Sequence, residues 1–248
     1  MRQDTSQWIE GVNLEYHESQ YDNPYQSTIA FCNYLKSKQL LTSESKFTIV
    51  DVGAGLGGNI YYLSSQFPNC TFLGIDLNPD LVNRGNEILR AKRVENCNLI
   101  VGDIYSLDKM HFPEINGIVS FQTLSWLPGY EAALQQLCGL NADWIALSSL
   151  FYEGRVSCKI EVSEYEESLQ VSRNSFYNVY SLPIIKDFLK NFGYKSFDFI
   201  PFEIDIDLDK PNEHVMGTYT EKTKGGKRIQ ISGPLMLPWY FVSALNDF

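Results

Sequence analysis

Val50-Asp51-Val52-Gly53-Ala54-Gly55-Leu56-Gly57-Gly58-Asn59 is the stretch on which the reading of this chain turns. Ahead of it, Phe47-Thr48-Ile49-Val50 is a short apolar, β-branched run of the kind that forms a buried parallel strand; behind it, residues 60–67 have helical spacing. The order is strand, glycine loop, helix. Glycines at 53, 55, 57 and 58 remove the Cβ atoms that keep a ligand off the backbone, and the helix start is expected to offer unpaired N–H groups to a ligand's anionic end.

The pattern repeats downstream. Thr71-Phe72-Leu73-Gly74-Ile75-Asp76 reads as a second strand whose last residue is an acid, placed where a doubly wound sheet offers a carboxylate to ribose hydroxyls. Asp76 could instead cap the next helix, but Asn78-Pro79 already supplies a cap and a first helical residue. A third strand, Asn98-Leu99-Ile100-Val101-Gly102, ends at Asp103-Ile104, and Asp103 either reaches a ligand or caps the turn that follows. A fourth, Gly117-Ile118-Val119-Ser120-Phe121, runs into Gln122-Thr123-Leu124-Ser125-Trp126. An amphipathic helix over 130–140 and the strand Trp144-Ile145-Ala146-Leu147-Ser148-Ser149-Leu150 complete the series. Five strands alternating with helices imply an α/β fold, a mostly parallel sheet covered on both faces.

The flanks are less regular. In the polar, aromatic lead-in 1–46, with Trp8 and Tyr25, Ile29, Phe31, Cys32 and Leu35 mark a helix. The stretch Leu14-Glu15-Tyr16-His17-Glu18-Ser19-Gln20-Tyr21 is too polar for core and too aromatic for a tail, and is read as a lid over the glycine loop. Tyr16 and Tyr21 are its candidate cofactor contacts. Past the fifth strand, residues 152–182 form a polar insertion whose glutamates (Glu161, Glu164, Glu166, Glu167) read as a solvated face. A helix over 182–192, a long strand over 194–206, a basic Gly225-Gly226 hairpin tip and strands over 228–232 and 235–242 follow.

The 248 residues fit one domain: a lead-in (1–46), a ligand-binding core (47–150) and a cap with closing strands (151–248). A net charge of −10 argues against nucleic acid or an anionic membrane as a partner and favours a small-molecule or protein substrate, with a small molecule expected. Five scattered cysteines without a CxxC pair argue against a disulfide framework or a structural zinc site and fit a reducing cytoplasm. No apolar run approaches the ~18 residues of a membrane span. The oligomeric state is left open.

Two ligands suit a glycine loop with a strand-end acid: a dinucleotide, as in an NAD(P)-dependent oxidoreductase, or an adenosyl compound without a pyrophosphate. Gly53-x-Gly55-x-x-Gly58 satisfies the dinucleotide spacing. Asp51 opposes it, because a carboxylate before the turn repels a pyrophosphate and suits a cationic amino group.

Asp51-Val52-Gly53-Ala54-Gly55-Leu56-Gly57-Gly58, then Gly74-Ile75-Asp76 and Val101-Gly102-Asp103, resemble the first three motifs of the class I S-adenosylmethionine-dependent methyltransferases. The resemblance implies a Rossmann-like, seven-stranded sheet with an antiparallel last strand and a variable cap that selects the substrate. It implies that Asp51, Gly53, Ala54 and Gly55 face the methionine part of S-adenosyl-L-methionine, Asp76 and Leu77 the ribose, and Asp103 and Ile104 the adenine. Phe121 and Gln122 would flank the route to the sulfur. Strands over 195–206 and 228–242 would form the closing hairpin. The tetrapeptide Asn-Pro-Pro-Tyr that marks methylation of base or glutamine amino groups is replaced here by Phe121-Gln122-Thr123-Leu124. The expected reaction is methyl transfer to an oxygen or nitrogen of a small molecule, leaving S-adenosyl-L-homocysteine and needing no metal. His17 is the candidate general base for a hydroxyl acceptor, and a non-catalytic adenosylmethionine-binding module is the remaining alternative.

Overall fold

A computed structural model of the protein describes residues 14–211 and 216–246, so Trp8 and His214 lie outside it, as does the side chain of Tyr16. Five parallel strands form the spine: β1 (Thr48–Val52), β2 (Thr71–Asp76), β3 (Cys97–Val101), β4 (Gly117–Phe121) and β5 (Trp144–Tyr152). Every residue of β4 and nearly every residue of β1 and β5 is buried, as expected of strands covered on both faces. Between and around them stand α1 (Leu14–Glu18), α2 (Gln26–Ser37), α3 (Gly58–Gln66), α4 (Pro79–Ala91) and α5 (Glu131–Gly139). Asn78 caps α4, its side-chain oxygen accepting from the amides of Asp80 and Leu81, with Pro79 at the first helical position.

The insertion after β5 holds an antiparallel hairpin, β6 (Glu161–Tyr165) with β7 (Val171–Phe176), and then the short β8 (Tyr180–Ser181) alongside the end of β5. There follow α6 (Leu182–Asn191), β9 (Tyr194–Pro201), β10 (Thr218–Lys222), β11 (Arg228–Ser232), β12 (Leu235–Met236) and β13 (Trp239–Asn246). The main sheet runs β3-β2-β1-β4-β5-β13-β9, with β13 antiparallel to both neighbours. This is the mostly parallel, seven-stranded order with a reversed last strand that the sequence leads one to expect.

Two expectations for the tail need correction. The strand that starts at Tyr194 ends at Pro201 rather than 206, and the stretch over 228–242 is not one arm of the closing hairpin. Gly233, at φ +51°, turns the chain after β11, and Pro238, which has no N–H to donate, separates β12 from β13. Only β13 joins the main sheet; β10, β11 and β12 form a three-stranded sheet of their own. The basic tip is a hairpin turn as expected, with Lys222 opposite Arg228, and its cations are paired: Lys222 and Arg228 with Asp207, and Lys227 with Glu203.

Strand alternation splits the core in two. Ile49, Phe72, Leu99, Val119 and Phe241 pack with α2, α3 and α4; Val50, Val52, Ile118, Ile145 and Leu147 pack with α5 and α6. Among the described residues, no helix is long and apolar enough to cross a membrane.

Candidate active site

The carboxyl ends of β1, β2 and β4 open into a cleft of about 680 Å³. Its floor is Gly53, Ala54 and Gly55, with Asp76 and Leu77 on one side, Asp103 and Ile104 beside them, and Phe121 and Gln122 on the other. The strand ends thus bring nine of the expected site residues to one cavity. Gly55 has φ +56°, and a Cβ built there meets no atom within 4 Å, so the bare backbone faces open cleft. At Gly53, φ +80°, a Cβ would lie 2.3 Å from the Thr123 hydroxyl oxygen, so a side chain is excluded by conformation and by space.

The amides of the loop itself are engaged, upstream of the helix start at Gly58 where unpaired N–H groups are expected. Gly53 and Ala54 both donate to the Ile75 carbonyl, at 2.8 and 2.9 Å, and Gly55 donates to Asp76 Oδ2 at 2.7 Å. The turn is closed by bonds to β2 and its strand-end acid. Asp76 Oδ1 also accepts from the Asn78 amide at 2.9 Å. Burial raises the Asp76 pKa, and the backbone donors Asn78 and Gly55 oppose that rise.

Asp51 is one residue behind the cleft floor and not in its lining. Alternation turns its side chain into the core, where it is fully buried and neither oxygen has a hydrogen-bond partner among the described residues. Burial, and next the charge of Asp76, raise its pKa well above the ordinary value of 3.8. An unanswered carboxyl at this depth is a standing demand for a donor.

Asp103 accepts from the Tyr105 amide at 2.9 Å, turning the chain while it lines the cleft. Gln122 holds φ +51°, rare for a residue with a side chain, and its amide donates to Ser148 at 2.7 Å. Local strain of this kind is found where a site fixes its backbone. Phe121 packs edge-on against Phe31, ring centroids 4.5 Å apart, and still borders the cavity.

The stretch read as a lid does lie over the loop. His17 and Gln20 line the cleft, with Gln20 Nε2 3.4 Å from His17 Nδ1 and 3.2 Å from the Tyr25 hydroxyl. Burial lowers the His17 pKa, with the Asp76 charge opposing, so the imidazole favours its neutral form. Ion pairs from Glu18 to Arg84 and from Asp22 to Lys92 fasten this segment to α4 and the turn behind it. Tyr21 is a correction. It is buried outside the cavity lining, with its hydroxyl donating to the Leu56 carbonyl at 2.6 Å and its ring 5.0 Å from that of Tyr61. It supports the loop from behind, because a phenol that reaches a buried carbonyl gains more there than at the cavity wall.

Sequence reasoning expected a substrate cap after β5 but read only its glutamates, as a solvated face, and named no lining residue there. In the hairpin insertion Arg173, Ser175 and Tyr177 line the cleft, together with Trp126. Period-two alternation around Tyr177 was the available signal.

Residues 43–176 match the family model described as "Methyltransferase domain". Among curated proteins, 94 residues are 29% identical to malonyl-(acyl-carrier protein) O-methyltransferase of Neorickettsia risticii, covering 38% of this chain and 35% of that one. Another 95 residues are 32% identical to ribosomal RNA small subunit methyltransferase H of Coprothermobacter proteolyticus, 35% of this chain and 31% of the relative. The chain thus spans about a third of the length of these two curated relatives. Among solved structures, the YcgJ protein of Bacillus subtilis superimposes with TM-score 0.58 at 12% identity, over 90% of this chain and 100% of that one. The N-terminal domain of EvdMO1, solved with S-adenosylhomocysteine bound, does so with TM-score 0.57 at 12% identity over 90% and 82%. These two likenesses concern the fold. The family model covers more than half of the chain, including the glycine loop, all five parallel strands and the cap hairpin, and the chain belongs to the methyltransferase-domain family.

Proposed function

We propose that this protein transfers the methyl group of S-adenosyl-L-methionine to an oxygen or nitrogen of a small molecule. The observation that carries the reading is the pairing of a bare glycine floor with two acids of different standing. Asp76 is at the cleft wall, and Asp51 is buried just behind the floor with both oxygens unanswered. A ligand with a cationic amino group near the floor and hydroxyls near Asp76 answers both. The ribose of a dinucleotide would answer Asp76 equally well, but its pyrophosphate brings negative charge rather than a cationic donor toward the buried Asp51. The oxidoreductase alternative is therefore the weaker one.

Asp76 and Leu77 would hold the ribose, Asp103 and Ile104 the base, and Gly53, Ala54 and Gly55 the amino-acid part, with Phe121 and Gln122 beside the sulfur. The bound cofactor supplies a methyl group on a sulfonium that leaves as a neutral thioether. What the chain must do is align a lone pair with that bond and keep water away. Trp126, Tyr177 and the N-terminal segment wall the cleft for that purpose. His17, neutral and in the lining, is placed to take the proton of a hydroxyl acceptor; an amine needs no such help. The acidic balance of the chain supports a small-molecule rather than an RNA acceptor, and an exposed, unpaired Cys158 supports a reducing, cytoplasmic setting.

Calorimetric titration with S-adenosyl-L-homocysteine tests the cofactor. Wild type should bind it with micromolar or better affinity, and Asp76→Ala, which removes both the ribose acceptor and the Gly55 bond, should bind at least tenfold more weakly. Folded wild type that binds NADH and not the homocysteine compound would sink the proposal.

A further inference from the structure

The roof of the cleft differs in chemistry from its floor. Antiparallel pairing sets Arg173 opposite Glu164 and Ser175 opposite Val162, and strand alternation points Arg173, Ser175 and Tyr177 the same way, into the cleft. Arg173 forms no salt bridge among the described residues, whereas the other clustered cations, Lys222, Lys227 and Arg228, are held by acids. Two buried hydroxyl oxygens in the lining, those of Ser175 and Tyr105, have no hydrogen-bond partner among the described residues. The Tyr177 ring stands edge-on to Trp126, centroids 4.3 Å apart, and both rings line the cleft. Among the described residues of the lining Arg173 is the one permanent cation, because the burial of His17 favours the neutral imidazole. In a chain of net charge −10, a guanidinium lining a cavity two residues from the unanswered Ser175 hydroxyl is an anion's binding place.

We propose that the methyl acceptor is a small carboxylic acid, whose carboxylate pairs with Arg173 and the Ser175 hydroxyl while its apolar body lies against Trp126 and Tyr177. The inference rests on the methyltransferase reading and names the acceptor class for the same cleft. The two acids of the lining, Asp76 and Asp103, repel the carboxylate from the cofactor end, so the molecule enters with its charge toward the roof and its nucleophile toward the floor. Arg173 and Ser175 are two residues apart, roughly 7 Å along the strand, a span that the guanidinium's reach closes onto one carboxylate.

Three acid and amide pairs serve as probes: benzoate with benzamide, 4-hydroxybenzoate with 4-hydroxybenzamide, and hexanoate with hexanamide. Each is titrated into protein saturated with S-adenosyl-L-homocysteine. Wild type should bind at least one acid ten or more times more tightly than its amide. Arg173→Gln should abolish that preference, and Arg173→Lys should keep part of it. Saturation with the homocysteine compound is measured first in every variant, so its failure condemns the methyltransferase reading and its success isolates the acceptor question. Acids and amides that are indistinguishable in wild type, bound or unbound alike, overturn the proposal. So does a preference that survives Arg173→Gln.

Discussion

The carboxyl of Asp51 has two oxygens, no donor among the described residues and no water-exposed surface. Its raised pKa means that the unfolded chain gives up this proton at a lower pH than the folded one does. Between those two values, rising pH therefore removes stability. Asp76, also raised by burial, adds to the same slope. Asp51→Asn should flatten the decline of stability as pH climbs from 4, and at pH 7 leave the ligand-free protein about 1 kcal/mol or more steadier than wild type. The same variant should lose most of its affinity for S-adenosyl-L-homocysteine, because an amide offers an ammonium no charge. Urea denaturation at a series of pH values checks the first half; an unchanged slope would show that Asp51 is satisfied in a way the structure does not reveal. Asp51 near the end of β1, Asp76 closing β2 and Asp103 just past β3 were legible from strand ends alone. The orphaned state of Asp51 was not, because sequence gives alternation but not what lies opposite.

The 3₁₀ turn Ser19–Tyr21 shows what one short element contributes to the site. Gln20 covers Gly58, where an added Cβ would come within 2.8 Å of the Gln20 Cβ, and the Tyr21 hydroxyl answers the Leu56 carbonyl. Tyr21→Phe leaves that carbonyl unpaired in the core. The cost should be about 1 kcal/mol in stability, with weaker binding of S-adenosyl-L-homocysteine as the loop loosens. A urea midpoint equal to that of wild type would refute this role. A buried tyrosine and a cavity tyrosine read alike in sequence, which is why Tyr21 was expected at the pocket wall. The hairpin β6–β7 was hidden for a related reason: its glutamates describe the solvated parts, and only the pairing Glu164–Arg173 and Val162–Ser175 reveals an inner face. The turn at Gly225-Gly226 was legible because a turn is local, whereas the separate sheet it belongs to depends on distant pairing.

Across the whole molecule, the cleft is bounded by parts of unequal anchorage. The floor belongs to the central strands, buried on both faces between two cores. The roof hairpin is a two-stranded sheet with largely exposed strands, tied at its base by the Cys158–Val179 bridge and by Asn178, whose amide donates to the Ser125 carbonyl. Its amides should exchange with solvent by local opening, orders of magnitude faster than those of β1 and β4. S-adenosyl-L-homocysteine alone should slow exchange around Gly53–Gly55 and leave residues 161–176 nearly unchanged; a carboxylate that occupies the roof should then protect the hairpin. Uniform protection of floor and roof by the homocysteine compound alone would mean that the two move as one body. Where they do not, one partner is held by the slow-moving sheet while the other comes and goes with a light, separately hinged flap; if that flap paces the proposed reaction, turnover should fall as solvent viscosity rises, and a rate indifferent to viscosity would return the slow step to the bond that is broken.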